Sequence, residues 1–140
     1  MQLYKRCSRC GKRIQSGSTC ECVKKRHQEY DRYSRDKKSK NFYNSREWER
    51  GRAAALDSDG GIDVYLFMTE GKIVIADMVH HIVPLKDDWN KRIDIDNLIS
   101  LSEGTHSMIE QMYKKNKSEI IGKLQKMVKE YRETKAAGGI

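Results

Sequence analysis

The stretch VHHIVPL, residues 79–85, places two adjacent histidines at the end of an apolar, strand-like run, just before the only proline of the chain. The chain has four histidines, so half of them lie side by side here. Because successive side chains of a strand point to opposite faces, His80 and His81 are expected to meet different neighbours. The two rings are therefore predicted to have different roles rather than to bind one ion together.

The composition indicates a small globular protein with a lean core. A length of 140 residues favours one domain with at most a small appendage. Hydrophobic residues make up 37% of the chain and charged residues 34%, so a metal is expected to help hold the fold. Apolar runs stay well short of the roughly 18 residues that span a membrane, and the start, MQLYKRCSRC, lacks the apolar stretch of a secretory signal. We expect a soluble, cytoplasmic protein.

The positive charge is concentrated in the first part of the chain. Residues 1–57 hold 16 Lys and Arg against 7 Asp and Glu, whereas residues 58–140 hold 12 against 13. This asymmetry predicts a basic segment that binds a polyanion, although basic, solvated helices are also common. The composition of residues 24–40 predicts a helix or a partly ordered basic arm, and the alternative is a solvated linker. Its candidate nucleic-acid-binding residues are Lys24, Lys25, Arg26, Arg32, Arg35, Lys37 and Lys38.

All four cysteines lie close together near the start, in CSRCGKRIQSGSTCEC. Two thiol pairs with a glycine-bearing link predict a tetrahedral zinc site in which the metal is structural. Gly11 permits the tight turn that the first pair requires. The second pair is C-x-C rather than C-x-x-C, so His27 could replace one thiol; two disulfides are the other alternative. The predicted ligands are Cys7, Cys10, Cys20 and Cys22.

The middle of the chain predicts a helix followed by a β-hairpin. Asn44 and Glu47 resemble a capping box ahead of a helix-favouring run, with Phe42, Tyr43 and Trp48 as anchors to the core. The run DVYLFMTEGKIVIADMVHH, residues 63–81, then alternates on both sides of a glycine, which predicts two strands and a short turn. The second of these strands would deliver His80 and His81 at its end.

The last part of the chain predicts helices. After a charged loop and the short apolar segment NLISLS, residues 97–102, the run EGTHSMIEQMYKK predicts a helix with His106 in its first turns. A final helix carries an apolar stripe at helical spacing, which we interpret as core packing or a dimer contact. The tail, residues 134–140, is expected to fray. The stripe comprises Ile120, Ile121, Leu124, Met127, Val128 and Tyr131.

The order of these features resembles the HNH, or ββα-metal, nuclease family. VHHIVPL, NLISLS and GTH carry the resemblance, with His81, Asn97 and His106 as the letters of the family name. The paired cysteines and the basic segment that follows them both precede these motifs. This arrangement is similar to that of free-standing HNH endonucleases of phages and prophages. The resemblance implies an α+β fold with a ββα-metal core, flanking helices and a small four-cysteine zinc knuckle.

The resemblance also implies roles for these residues. His80 and His106 would bind a catalytic divalent ion such as Mg²⁺, Mn²⁺ or Zn²⁺, and His81 would be the general base. Asn97 would tie the loop after the histidine pair by hydrogen bonds to the backbone. We expect a backbone carbonyl near this loop to accept the N–H of His81 and set its tautomer.

Domain boundaries follow from this interpretation. We expect a zinc knuckle over residues 1–23, a basic helical arm over 24–61, the nuclease core over 62–116, and an amphipathic helix and tail over 117–140. Many relatives carry a second zinc ribbon around the core, but this chain has GGIDVY, Ser102 and Thr105 in those places. The core is therefore expected to be held by apolar packing that includes the terminal helix.

The function implied is metal-dependent hydrolysis of DNA phosphodiester bonds, leaving 5′-phosphate and 3′-hydroxyl ends. One active centre would nick, so double-strand cleavage would need a dimer or two events; the chain is expected to be a monomer or homodimer. A phage terminase is a possible partner by resemblance. The alternative is a zinc-containing nucleic-acid-binding module without catalysis, in which the ββα unit is a relic.

Overall fold

The structure, a computed structural model, describes residues 3–139 apart from the side chain of Lys24. It divides into two units, one ending at Phe42 and one beginning at Tyr43. The earlier domain boundaries at residues 23, 61 and 116 stay predictions. Among the residues described, no helix is long and apolar enough to cross a membrane.

The first unit consists of a short hairpin followed by a long helix. Strands β1 (Tyr4–Arg6) and β2 (Arg13–Gln15) pair antiparallel, and helix α1 runs over Glu21–Tyr43. Between the strands, the backbone N–H of Gly11 donates to the carbonyl of Cys7 at 2.9 Å. Gly11 adopts a φ of 75°, which a residue with a side chain adopts only under strain. The tight turn expected after the first cysteine pair is therefore present.

In the residues that the structure describes, the second unit contains three helices, one two-stranded sheet and two short 3-10 turns. The elements, in chain order, are α2 (Arg46–Ser58), α3 (Val64–Glu70), β3 (Met78–His81), the 3-10 turns Trp89–Lys91 and Ile95–Asn97, β4 (Leu98–Leu101) and α4 (Glu103–Ala136). Helix α2 is capped by Ser45, whose side chain accepts a hydrogen bond from the N–H of Trp48 at 3.2 Å. The cap thus lies one residue later than the Asn44 predicted from the sequence.

The predicted hairpin on either side of Glu70 and Gly71 is wrong, because its first half forms helix α3. Asp63 caps this helix by accepting from the N–H of Leu66 at 2.9 Å, and Gly71 ends it with a φ of 67°. Both caps are local signals of helix termini, and they outweigh an alternation that also fits a short helix. Gly71 is therefore a helix terminus rather than a hairpin turn.

The hairpin that carries the histidines is formed instead by β3 and β4. His80 pairs with Ile99, and His81 pairs with Leu98, in antiparallel register. One further bond, from the N–H of Ile82 to the carbonyl of Asn97 at 2.8 Å, continues the ladder towards the connecting loop. The apolar segment after the loop is thus the partner strand of the histidine pair.

Two buried aspartates complete the other edge of β4. Asp59 accepts from the N–H of Ser100 at 3.0 Å, and Asp63 accepts from the N–H of Ser102 at 2.9 Å. Both carboxylates are fully buried, and Asp59 also pairs with Arg132 of α4 at 2.9 Å. These contacts satisfy backbone donors that an edge strand would otherwise leave exposed to solvent or unpaired.

The core of the second unit is held by apolar packing, as expected for a chain without a second zinc ribbon. Helix α4 changes direction at Asn116, where φ is −153° and ψ is 76°. The stripe after this kink packs against α3 and the hairpin, so its interpretation as core is confirmed. The buried members of the cluster are Val64, Ile82, Ile99, Leu101, Ile109, Ile120, Leu124, Met127, Val128 and Tyr131.

Candidate active site

His80 is buried at the end of β3, and its ring faces helix α4. Its Nε2 lies 3.1 Å from the phenolic oxygen of Tyr113, which in turn lies 2.5 Å from the carbonyl oxygen of Ile82. A carbonyl can only accept, so the Tyr113 O–H donates to Ile82 and its oxygen accepts from Nε2–H of His80. This chain of hydrogen bonds leaves the lone pair of the His80 ring on Nδ1.

Nδ1 of His80 faces two side chains from the first half of α4. Oε1 of Glu110 lies 3.8 Å from Nδ1 of His80 and 3.2 Å from Nε2 of His106. His106 and Glu110 are four residues apart, so they share one face of the helix. The three ligand atoms lie within 4.8 Å of one another. Two imidazoles and a carboxylate suit several divalent transition metals, so the donor set fits the expected ion.

The protonation state of His80 also suits a metal ligand. Burial lowers the pKa of His80 from 6.5 to about 3, with smaller contributions in the same direction from His106 and His81. The ring is therefore neutral at neutral pH, and a neutral imidazole is the form that binds metal.

His81 points away from this cluster and has a separate set of neighbours. Its Nε2 lies 2.8 Å from the carbonyl oxygen of Arg92, so Nε2 carries the proton and Nδ1 carries the lone pair. The ring stacks on Trp48 with a centroid separation of 4.9 Å and meets Tyr43 edge-on at 6.0 Å. Burial lowers the pKa of His81, while the hydrogen bond to Arg92 raises it. The expected division between the two histidines is present in their contacts.

The backbone at Arg92 is itself held by contacts with α2 and the loop. The Arg92 side chain pairs with Glu47 of α2, with 2.9 Å between Nε and Oε1. The same guanidinium donates to the carbonyl of Trp89 at 3.2 Å. The side chain of Arg92 is therefore held by Glu47 and Trp89, and this fixes the position of the Arg92 carbonyl that accepts from His81.

Asn97 is buried and ties the loop after the histidines to the start of β4. Its Oδ1 accepts from the N–H of Val83 at 2.8 Å, and its Nδ2 donates to the carbonyl of Val83 at 3.1 Å. A longer contact joins Nδ2 to the carbonyl of Lys91 at 3.4 Å. Asn97 thus makes the type of backbone contacts that the resemblance implied.

One open cleft, with a volume of about 580 Å³, is lined by His80, His81 and His106. Lys86 and Lys114 line the same cleft, and both side chains are exposed. Lys117 also lines it, where it pairs with Asp87. The cleft thus combines candidate metal ligands with positive charge, which suits an anionic substrate.

The four cysteines converge in the first unit. The sulfur of Cys7 lies 3.6 Å from that of Cys22, and the sulfurs of Cys10 and Cys20 are also 3.6 Å apart. All four lie within 4.8 Å of one another as free thiols, so they are not disulfides. A tetrahedral zinc with bonds of about 2.3 Å places its sulfurs about 3.8 Å apart, which fits this cluster.

Two of these thiols have pKa values that are shifted in opposite directions. Hydrogen bonds from the backbone of Cys10 and Arg9 lower the pKa of Cys7 to about 6. Desolvation, together with the neighbouring sulfurs, raises the pKa of Cys22 to about 12. Several thiolates so close together need a cation to offset their repulsion. The cluster is completed by Cys22, and His27 is not part of it.

The predicted basic residues lie on α1 in the first unit. Those whose side chains the structure describes are exposed, and the Lys24 side chain falls outside the described part of the chain. The exposed set comprises Lys25, Arg26, Arg32, Arg35, Lys37 and Lys38.

Glu110 and Tyr113 were missed in the sequence, and the backbone carbonyl expected to accept from His81 could not be assigned to Arg92. Glu110 had a usable signal, because a carboxylate four residues after His106 falls on the same helical face. The other two had none, since their contacts with His80 and His81 join residues 33 and 11 positions apart.

A two-stranded hairpin and a crossing helix that share metal-type ligands define a ββα-metal protein. The structure is similar to that of an HNH endonuclease from the deep-sea thermophilic bacteriophage GVE2, crystallised with a manganese ion. The two sequences are 42% identical, the TM-score is 0.58, and the match covers 62% of this chain and 94% of the phage protein. No family model matches the sequence, and no curated protein sequence matches it. The chain belongs to the HNH endonuclease family.

Proposed function

We propose that this protein is a metal-dependent endonuclease that hydrolyses phosphodiester bonds of DNA. The single observation that carries the proposal is the separation of the histidine pair into two environments. His80 is grouped with His106 and Glu110, whereas His81 is held by Arg92 and Trp48. Hydrolysis of an anionic ester needs both a cation and a base, and this site offers one place for each.

His80, His106 and Glu110 are the residues that would hold the divalent ion. Bound there, such an ion would neutralise the negative charge that develops on the phosphate and the leaving oxygen. Manganese in the phage relative supports a divalent ion here, and Mg²⁺ and Zn²⁺ are alternatives. Tyr113 acts on this group by holding the Nε2 proton of His80, which keeps the Nδ1 lone pair directed at Glu110.

His81 acts as the general base. With Nε2–H donated to Arg92, Nδ1 is the nitrogen that takes a proton from the attacking water. Because burial lowers the pKa of His81, the ring is neutral and able to act at neutral pH. Stacking on Trp48 fixes the plane of the ring, and Asn97 fixes the loop that follows it.

The four-cysteine cluster would hold a structural zinc, because four thiolates leave no position for substrate. The basic residues of α1 would bind DNA phosphates with little sequence discrimination. The exposed Lys86 and Lys114 would attract phosphate to the cleft.

The wider biological setting is also a proposal. The phage origin of the relative supports a phage or prophage protein. Association with a terminase, the choice between monomer and homodimer, and a cytoplasmic location stay predictions.

The decisive experiment is a plasmid assay with Mg²⁺, Mn²⁺ or Zn²⁺, combined with measurement of ion binding. Wild type should convert supercoiled plasmid to the relaxed or linear form, and His81→Ala should lose cleavage while still binding the ion. The exposed Gln111 of α4 provides the control, and Gln111→Ala should behave as wild type. Cleavage by His81→Ala at the wild-type rate would remove His81 as the base. A wild type that binds ion and DNA without cutting would favour the non-catalytic alternative.

A further inference from the structure

One face of α1 presents two tyrosines between two cations. Arg26, Tyr30, Tyr33 and Lys37 follow one another at intervals of four, three and four residues, so they lie in one row along the helix. We call these four residues the tyrosine face. It spans about 16 Å at the helical rise of roughly 1.5 Å per residue.

The tyrosine face is not explained by packing. The exposed fraction of the residue is 69% for Tyr30 and 66% for Tyr33. By comparison, the exposed fraction is below 10% for the core aromatic residues Phe42, Trp48 and Tyr131. Exposed aromatic rings that lie together on a surface often mark an interaction site. A binding role is therefore the simplest account of both residues.

The charge around the tyrosine face favours an anionic partner. At about 100° per residue, the acidic residues of α1 lie some 70° or more from the middle of this face. Lys40 continues the row, and a hollow of about 350 Å³ lies between Tyr33, Asp36, Lys37, Lys40 and Asn41. Asp36 is the acidic residue at the edge of this hollow. The face itself carries positive charge and aromatic surface only.

A second copy of the chain is a poor occupant of the same face. The row has the spacing of a coiled-coil seam, which would bring Arg26, Lys37 and Lys40 against the same cations of a partner helix. Like charges at such positions oppose association, and a polyanion does not meet this repulsion.

We propose that the tyrosine face binds unpaired nucleotides of DNA, with Tyr30 and Tyr33 stacking on bases and Arg26 and Lys37 contacting the flanking phosphates. This inference rests on the proposed function in one respect, the choice of DNA as the nucleic acid that binds. Bases inside a duplex are already stacked on their neighbours, so aromatic side chains bind bases that are unpaired. The face would direct the nuclease to single-stranded or gapped DNA.

The test is the affinity for a labelled single-stranded oligonucleotide and for the matching duplex, measured by fluorescence anisotropy without added divalent ions. Tyr30→Ala and Tyr33→Ala should each weaken single-strand binding about thirtyfold, the middle of the range for a lost base stack, with little effect on the duplex. Tyr30→Phe and Tyr33→Phe should keep the affinity, because phenylalanine also stacks. Lys37→Ala should lower the dependence of single-strand binding on salt, whereas the tyrosine variants should not.

Gln28→Ala is the matched control, since Gln28 lies on the opposite side of α1 and is exposed. Equal losses on both DNA forms, or none, would overturn the proposal. Self-association of wild type that the Tyr30→Ala variant abolishes, seen by sedimentation, would instead make the face a dimer interface and also overturn it. Because the readout is binding, failure of the plasmid assay would overturn catalysis and leave this inference standing.

Discussion

The phenolic oxygen of Tyr113 links Nε2 of His80, 3.1 Å away, to the carbonyl oxygen of Ile82, 2.5 Å away. Tyr113 is therefore the residue that sets which nitrogen of His80 carries the lone pair. Partners of this kind orient a ligand without contacting the ion themselves.

Tyr113→Phe should weaken the binding of Mn²⁺ about 10-fold to 100-fold, the range found when such a partner of a metal-binding histidine is removed. The phenyl ring keeps the packing, so the unfolding midpoint should change little. Isothermal titration calorimetry measures the affinity, and circular dichroism measures the midpoint. Wild-type affinity in this variant would mean that the hydrogen bond does not orient His80.

Glu110→Gln tests the third member of the proposed metal group. The amide keeps the size of the side chain but loses the charge that faces His80 and His106. We expect a loss of Mn²⁺ affinity of at least about tenfold and a matching loss of plasmid cleavage at limiting Mn²⁺. Gln111→Ala, the exposed neighbour, is the control and should match wild type in both titrations. If the two variants bind Mn²⁺ equally well, Glu110 is not a ligand.

Asn97→Ala tests whether the loop contacts position the base. The change leaves the N–H and the carbonyl of Val83 without their side-chain partner in a largely buried place. The free energy of unfolding should fall by about 1–3 kcal/mol, measured by urea denaturation. Because His81 directly precedes the same loop, kcat should fall while the Mn²⁺ affinity stays within a few-fold of wild type. A drop in Mn²⁺ affinity with kcat intact would show that Asn97 supports His80 instead.

Much of the site could be predicted because its elements are local in the sequence. The adjacent histidines on a strand, the asparagine and His106 occur in a fixed order, and the cysteines lie within 16 residues. The pleat alone predicts that His80 and His81 meet different neighbours, and the structure places them so.

The rest could not be predicted because it depends on contacts across the chain or on competing local signals. Val64, Leu66 and Met68 alternate as in a strand, yet the caps at Asp63 and Gly71 make this segment a helix. The true partner of the histidine strand lies beyond a loop of 16 residues, 82–97, and nothing in its short apolar sequence identifies that pairing. The hydrogen bonds of the buried aspartates could not be predicted from the sequence either, because they join positions some 40 residues apart.

The burial of His80 predicts how stability depends on pH when no divalent ion is added. Its pKa is about 3 in the folded protein and 6.5 ordinarily, so the unfolded chain takes up a proton that the folded chain does not. The free energy of unfolding should therefore fall as the pH falls from 6.5 towards 3, by about 1.5 kcal/mol between pH 6.5 and 5 from His80 alone. The lowered pKa of His81 acts in the same direction. Urea denaturation at several pH values measures the slope, and His80→Asn should flatten it by removing this proton uptake. An equal slope in wild type and His80→Asn would show that the pKa of His80 is not lowered in the folded protein.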